Sequence, residues 1–163
     1  MEARRLRLIA PVLALTIASA ACVDGIVGPG YSRTDVAIRT TDAIVWREIS
    51  SVTDFRVDVE LTNLGPNWVE YDRWCGWRID QLVNSRWEVA YRPLCSVHNS
   101  EYYWIPPGAT YYESLPAHAS WRRIGGPITG TYQVVFEMFE DVDGRDYVRL
   151  REDRTASNSF TVR

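Results

Sequence analysis

Ten residues near the end of the chain, Gly130–Phe139, read GTYQVVFEMF. Side chains of an extended backbone alternate between two faces. Tyr132, Val134, Phe136 and Met138 therefore share one side, and Gln133, Val135, Glu137 and Phe139 share the other. One face is wholly apolar and the other mixed, as in a strand deep inside a sheet. A second stretch alternates more cleanly still. Phe55, Val57, Val59 and Leu61 interleave with Arg56, Asp58, Glu60 and Thr62, so one face is core and the other meets water. No long helical period and no internal repeat competes with these patterns. Pro and Gly interrupt the chain often enough to keep strands short, and an all-β chain follows.

The length of 163 residues suits one domain with a real core. Before it stands a leader, residues 1–21. Arg4, Arg5 and Arg7 precede an uncharged run from Leu8 to Ala21 that is too short to span a bilayer comfortably. That is the make-up of a signal peptide. Two cleavage sites compete. The small residues before Cys22 resemble a bacterial lipobox, with Ser19 where that motif usually has Leu, which implies lipidation of Cys22. Ala18-Ser19-Ala20 also fits ordinary signal peptidase cleavage, which implies plain secretion or a periplasmic location. Cysteine parity favours the first. With Cys22 carrying lipid, Cys75 and Cys95 remain to pair in an oxidising compartment. Residues 22–33, with Gly25, Gly28 and Gly30, read as a flexible tether, and residues 34–163 as the folded domain.

The leader holds three Arg and one Glu, so the rest carries 15 Arg against 20 acids, a formal charge of −5. An acidic balance argues against nucleic acid or anionic lipid as partner. Contact with a membrane is expected only through a lipid anchor.

Further strands are predicted at Val36–Arg39, Ile44–Arg47, Thr110–Leu115, Tyr147–Leu150 and Ser159–Val162. Asn63–Asn67 reads as a turn, Ser96–Trp104 as irregular chain, and Pro116–Pro127 as a crossover. Trp74–Val83 and Trp87–Cys95 form a predicted hairpin. With Ser85 centring its turn, Val83 faces Trp87, Ile79 faces Tyr91 and Cys75 faces Cys95. The cysteines thus meet, and a disulfide is expected.

Gly130-Thr131-Tyr132-Gln133-Val134 resembles the tyrosine corner of immunoglobulin-like sandwiches, with Val134 where antibody domains have Cys. The amphipathic strand ending in Asn63, the Trp87 strand, Pro107-Gly108 and the terminal Phe160-x-Val162 add to it. Residues 34–163 are thereby similar to bacterial Ig-like or fibronectin-III-like domains of exported proteins. Some proteinase inhibitors share that sandwich. The resemblance implies an Ig-like antiparallel β-sandwich of about seven to nine strands.

Chemistry-bearing motifs are few. Cys75, Cys95, His98 and His118 make a two-Cys two-His set, but an oxidising compartment favours a cystine and two surface histidines. Asp141-x-Asp143-Gly144-x-Asp146 lacks the spacing of a calcium loop and reads as an acidic hairpin tip. No metal and no cofactor is assigned. No GxSxG, HExxH or phosphate-binding Gly loop occurs, so an enzyme is not expected. Seven Trp and nine Tyr are the more informative feature. In Tyr102-Tyr103-Trp104 neighbouring rings must face opposite ways, so at least one is exposed. Tyr102, Tyr103, Trp104 and Trp121 are the candidate ligand surface. The expectation is a non-catalytic cell-envelope binding or adhesion module for a surface protein or carbohydrate. The alternative is a proteinase-inhibitor-like or envelope-assembly partner, presenting Ser96–Trp104 or Pro116–Gly126.

Overall fold

The computed structural model describes residues 36–48, 52–95 and 100–163. The predicted leader and tether, with Cys22 and His98, lie outside them. Among the described residues there are twelve strands and two single 3-10 turns. The first half comprises β1 (Val36–Thr40), β2 (Ile44–Val45), β3 (Thr53–Asn63), β4 (Trp68–Asp72), β5 (Trp77–Val83) and β6 (Arg86–Tyr91). The second comprises β7 (Tyr102–Ile105), β8 (Thr110–His118), β9 (Gly130–Phe136), β10 (Met138–Asp141), β11 (Tyr147–Arg149) and β12 (Phe160–Val162).

They form an all-β, sandwich-like fold. One layer is the sheet β1-β3-β8. Facing it are the five-stranded sheet β2-β12-β9-β5-β6 and the four-stranded sheet β11-β10-β4-β7. The last two continue into one another, because β4 leads into β5 and β9 into β10. All pairings are antiparallel except β2 with β12.

The core is aromatic where the layers meet. Phe55 on β3 packs against Tyr91, Tyr132 and Phe160 of the five-stranded sheet, with centroids 5.3, 5.3 and 6.1 Å apart. Tyr71 on β4 meets Phe136 on β9 edge-on at 5.7 Å. Each buried tyrosine also has an acceptor. Tyr91 donates to Asp54 at 2.8 Å and Tyr71 to Glu113 at 2.7 Å, both across the layers. Tyr132 donates to the Ile128 carbonyl four residues upstream.

Polar clamps close the ends. Buried Asn63 donates to the carbonyls of Asn67 and Ile105 and accepts from the Gly65 N–H, fixing the predicted turn. Asn158 holds both the N–H and the hydroxyl of Thr40, tying β1 to the segment before β12.

Five sequence expectations change. The Gly130–Phe139 strand is two strands with an unbroken inner face. At Glu137 the N–H turns to the Gly76 carbonyl, and the chain passes from partner β5 to partner β4. Trp68–Asp72 is an additional strand. Tyr102–Ile105 is a strand rather than irregular chain, masked because large rings occupy both of its faces. Fourth, β8 runs on to His118 before any crossover. Pro116 is tolerated there because β8 is an edge strand, paired with β3 alone.

The fifth change concerns the hairpin. Its turn is two residues, Asn84 and Ser85, both in the left-handed region at φ 49 and 64°. That is the geometry of a type I′ turn. Val83 therefore faces Arg86 and Leu82 faces Trp87, one step from the predicted register. A bulge then intervenes. Asp80 faces Val89 and Ile79 faces Tyr91, so Ala90 is the extra residue. The bulge restores the predicted alignment beyond it, and Cys75 is bonded to Cys95 with Cα atoms 5.6 Å apart.

The cystine closes a separation of 20 residues. In the chain-entropy account its removal costs about 3 kcal/mol. Urea unfolding of the Cys75→Ser/Cys95→Ser variant should show a loss of that order, and thiol titration of the unreduced domain should find neither cysteine free.

Candidate functional site

Between Asp72 and Trp77 the chain leaves the ladder. On the facing path only Glu137 separates β9 from β10, whereas here Arg73–Gly76 must be accommodated. The detour folds on itself: the Gly76 N–H donates to the Asp72 carbonyl at 2.7 Å. Asp72 Oδ1 accepts from the N–H groups of Trp74 and Cys75. A Cβ on Gly76 would stand 2.7 Å from the Asp72 carbonyl oxygen, so the fold is too tight for any side chain there. The detour carries Cys75 out to Cys95 and stands Trp74 in solvent, 55% exposed.

Beside it lies a cleft of about 380 Å³. Trp77 and Leu115, both buried, line it with Trp74, Trp121, Tyr112 and Pro116. Arg56, Arg73, Glu113 and Ser114 supply the polar lining. A second hollow lies next to the cystine, lined by Trp74, Cys75, Pro93, Leu94 and Trp121. Trp74 and Trp121 belong to both.

The indoles are held in place. Trp77 donates its ring N–H to the Arg73 carbonyl at 3.1 Å and meets Trp121 at 6.0 Å. Trp121 also lies against His118 at 5.0 Å. Trp74 donates its ring N–H to Glu101 at 2.8 Å. The Arg73 guanidinium sits over the Tyr103 ring at 5.0 Å and that of Trp74 at 5.9 Å.

Glu113 is the one carboxylate lining the cleft among the described residues, and both its oxygens are occupied. One accepts from Tyr71 and the other from Arg73 Nε at 3.2 Å. Arg73 also donates to the Tyr103 hydroxyl at 2.9 Å. Burial, then the bond to Glu113, pushes the Tyr71 phenol far above its ordinary value. The Glu113 charge raises the Arg73 guanidinium further. The cleft thus offers flat apolar walls, a fixed ion pair and the partly exposed Arg56.

The four predicted ligand residues do not share one surface. Trp121 lines the cleft. Tyr103 points inward, tilted against Tyr71 at 6.1 Å, with its hydroxyl bonded to Arg73 and Glu101. Tyr102 and Trp104 face outward from the four-stranded sheet. Arg73, Trp74, Trp77 and Glu113, which the cleft needs, were not among the ligand residues expected from the sequence. The Trp-Cys-Gly-Trp run at residues 74–77 was the available signal. Small, cystine-forming and ring residues in succession mark a departure from strand geometry.

The histidine and acidic motifs have ordinary structural partners. His118 Nδ1 pairs with the Ser120 hydroxyl at 2.7 Å. In the acidic tip, Asp143 accepts from the N–H groups of Arg145 and Asp146. No group of three or more metal-ligating side chains occurs among the described residues.

No protein family matches the chain, and no curated protein does. Among solved structures it is similar to Northeast Structural Genomics Consortium target SoR45, at 14% identity and a TM-score of 0.36, over 73% of this chain and 81% of that one. It is similar also to the alkylpurine DNA glycosylase AlkC of Pseudomonas fluorescens, at 14% identity and 0.34. That match takes 79% of this chain but spans only 30% of the glycosylase. A third is the CooA pilin subunit of enterotoxigenic Escherichia coli, at 12% and 0.33 over 78% and 97%. Similarity at these scores carries no functional information.

Burial also raises the Tyr91 phenol strongly, helped by its bond to Asp54, and pushes Tyr132 up to about 12. A raised phenol keeps its full contribution to stability below the unfolded value of about 10 and loses it as pH rises toward the folded value. Folding stability should therefore decline above about pH 10. Absorbance at 295 nm should show Tyr71, Tyr91 and Tyr132 ionising only as the domain unfolds.

Proposed function

We propose that the domain is a non-catalytic binding module of the cell envelope, with the cleft between Trp74 and Trp121 as its ligand surface. One observation carries this reading: two indoles, each fixed by a bond or a ring contact, bracket a hollow edged by Arg56, Arg73 and Ser114. A pyranose ring offers the complementary chemistry, with apolar faces for the indoles and peripheral hydroxyls for the polar groups. The ligand class is therefore a surface carbohydrate. Glycoside cleavage needs two working carboxylates. Glu113, with both oxygens engaged, is suited to holding Arg73 in place instead.

The finer kinship with immunoglobulin-like sandwiches belongs to the same proposal. It is supported by the Tyr132 hydroxyl bonding back to Ile128 and by Val134 lying in the core two places later. The proteinase-inhibitor alternative is weakened, because Tyr102–Trp104 and Pro116–His118 are held in strands rather than in presenting loops.

An envelope location is supported by the cystine, which belongs to oxidising compartments. Lipidation of Cys22 would place the cleft at a membrane surface on a short tether. Expressed in a bacterial host fed an alkyne fatty acid, the full chain should label and sediment with membranes. Cys22→Ser should do neither. An unlabelled, soluble wild-type chain would support plain secretion instead.

The ligand reading is tested on an array of bacterial and host surface glycans. Positive spots should weaken roughly tenfold or more for Trp74→Ala and for Trp121→Ala, as expected of a central aromatic anchor. Trp87→Ala, an exposed indole on β6 outside the cleft, should keep them. An array without signal, or signals indifferent to both cleft substitutions, would end the proposal.

A further inference from the structure

The outward face of the four-stranded sheet is a second surface, independent of the cleft. Register places two rows across it. In one, Asp141 stands between Tyr147 on β11 and Trp68 on β4. In the other, Glu70 stands between Phe139 on β10 and Trp104 on β7. Tyr102 extends the face along β7. Each carboxylate is thus flanked on both sides by aromatic residues. The Trp104 and Tyr147 rings approach across the sheet to 5.7 Å. The face is open: Trp68, Tyr102 and Tyr147 are 48, 57 and 51% exposed.

The two acids lack a cation. Among the described residues neither Glu70 nor Asp141 takes part in an ion pair, and Glu70 has no hydrogen-bond partner. The cation nearest in register is Arg149, beside Phe139 in the second row. It turns instead to Glu137 at 3.3 Å and Glu152 at 3.5 Å. Burial, then the neighbouring Asp141 charge, raises the Glu70 carboxyl above its usual range. Burial and the same two acids raise the Tyr147 phenol. Like charges held together beneath rings are relieved by an incoming cation.

We propose that this face docks an arginine-bearing segment of a partner protein. A guanidinium satisfies both parts of the surface at once. Its plane stacks on indole and phenol rings, and its fork of N–H groups meets a carboxylate two bonds at a time. An ammonium group would do the second less well and the first more weakly. Rings and carboxylates alternate across the face, so two arginines of an extended peptide would each find the same pair of groups.

The test is a titration of the domain with hexa-arginine peptide at low salt, followed by Trp fluorescence and calorimetry. Saturable binding is expected, with hexa-lysine weaker. Glu70→Gln/Asp141→Asn should weaken it about tenfold, since it removes both charge-assisted contacts while leaving the fold. Glu88→Gln/Asp58→Asn changes net charge equally, away from this face, and should leave binding intact. Trp104→Ala should weaken it independently of charge. Absence of binding would overturn the proposal, and so would equal weakening in the two double variants, which would reduce it to general attraction for an acidic protein. Self-association of the domain that Trp104→Ala abolishes would overturn it in favour of a second copy of this chain.

Discussion

A phenol buried between two layers must place its hydroxyl against an acceptor or lose the bond it made to water. Three tyrosines fully buried among the described residues impose that condition on this sandwich. Tyr71 and Tyr91 meet it with acids from the opposite layer, Glu113 and Asp54. Tyr132 meets it within its own connection, at Ile128. The first two bonds act as struts. A ring of fixed length stands on one sheet and its oxygen must touch a particular residue of the other. The separation and lateral offset of the layers are set together, and Phe55 fills the space that results. Alkyl side chains of equal volume would bury as much area without fixing that offset.

The cleft is a product of the same geometry. Glu113 is oriented by Tyr71 from below, and this leaves its second oxygen to hold Arg73. Arg73 in turn lies over Tyr103 and Trp74. A core contact is thus relayed through one carboxylate to the surface, and the exposed indole stands on a supported arginine. Side chains held this way lose little further freedom when a ligand arrives, which is what a binding surface requires.

Much of the scaffold was legible in the chain. Thr53–Asn63 alternates so regularly that its inner face could be named residue by residue. The Asn63 turn, the Phe160-x-Val162 return and the cystine were readable for similar reasons. Tyr102–Ile105 was not, because rings on both faces erase the contrast on which a period-two signal depends; Trp68–Asp72 was not, because only Val69–Asp72 alternate, too short a run to stand out beside the Asn63 turn. The hairpin register was displaced near its turn. Turn length is decided by whether Asn84 and Ser85 both accept positive φ, and a bulge at Ala90 leaves no mark in composition. The cystine pairing held because that bulge adds back the residue the turn removes. The cleft was least legible. Trp121 was in view, but of its partner indoles Trp77 opens β5 and Trp74 belongs to a detour visible only once the two continuous ladders on either side of it are known.

Those ladders give the detour its further meaning. Trp77 with Phe136 on one side and Tyr71 with Met138 on the other are paired independently of what lies between. Residues 73–76 therefore occupy the one seam in this half of the molecule where length and identity are free of strand phase. Recognition can be rewritten at the seam while the architecture on either side keeps its alignment. The closely folded Gly76 and the cystine-bound Cys75 mark the two positions there that such rewriting has to spare.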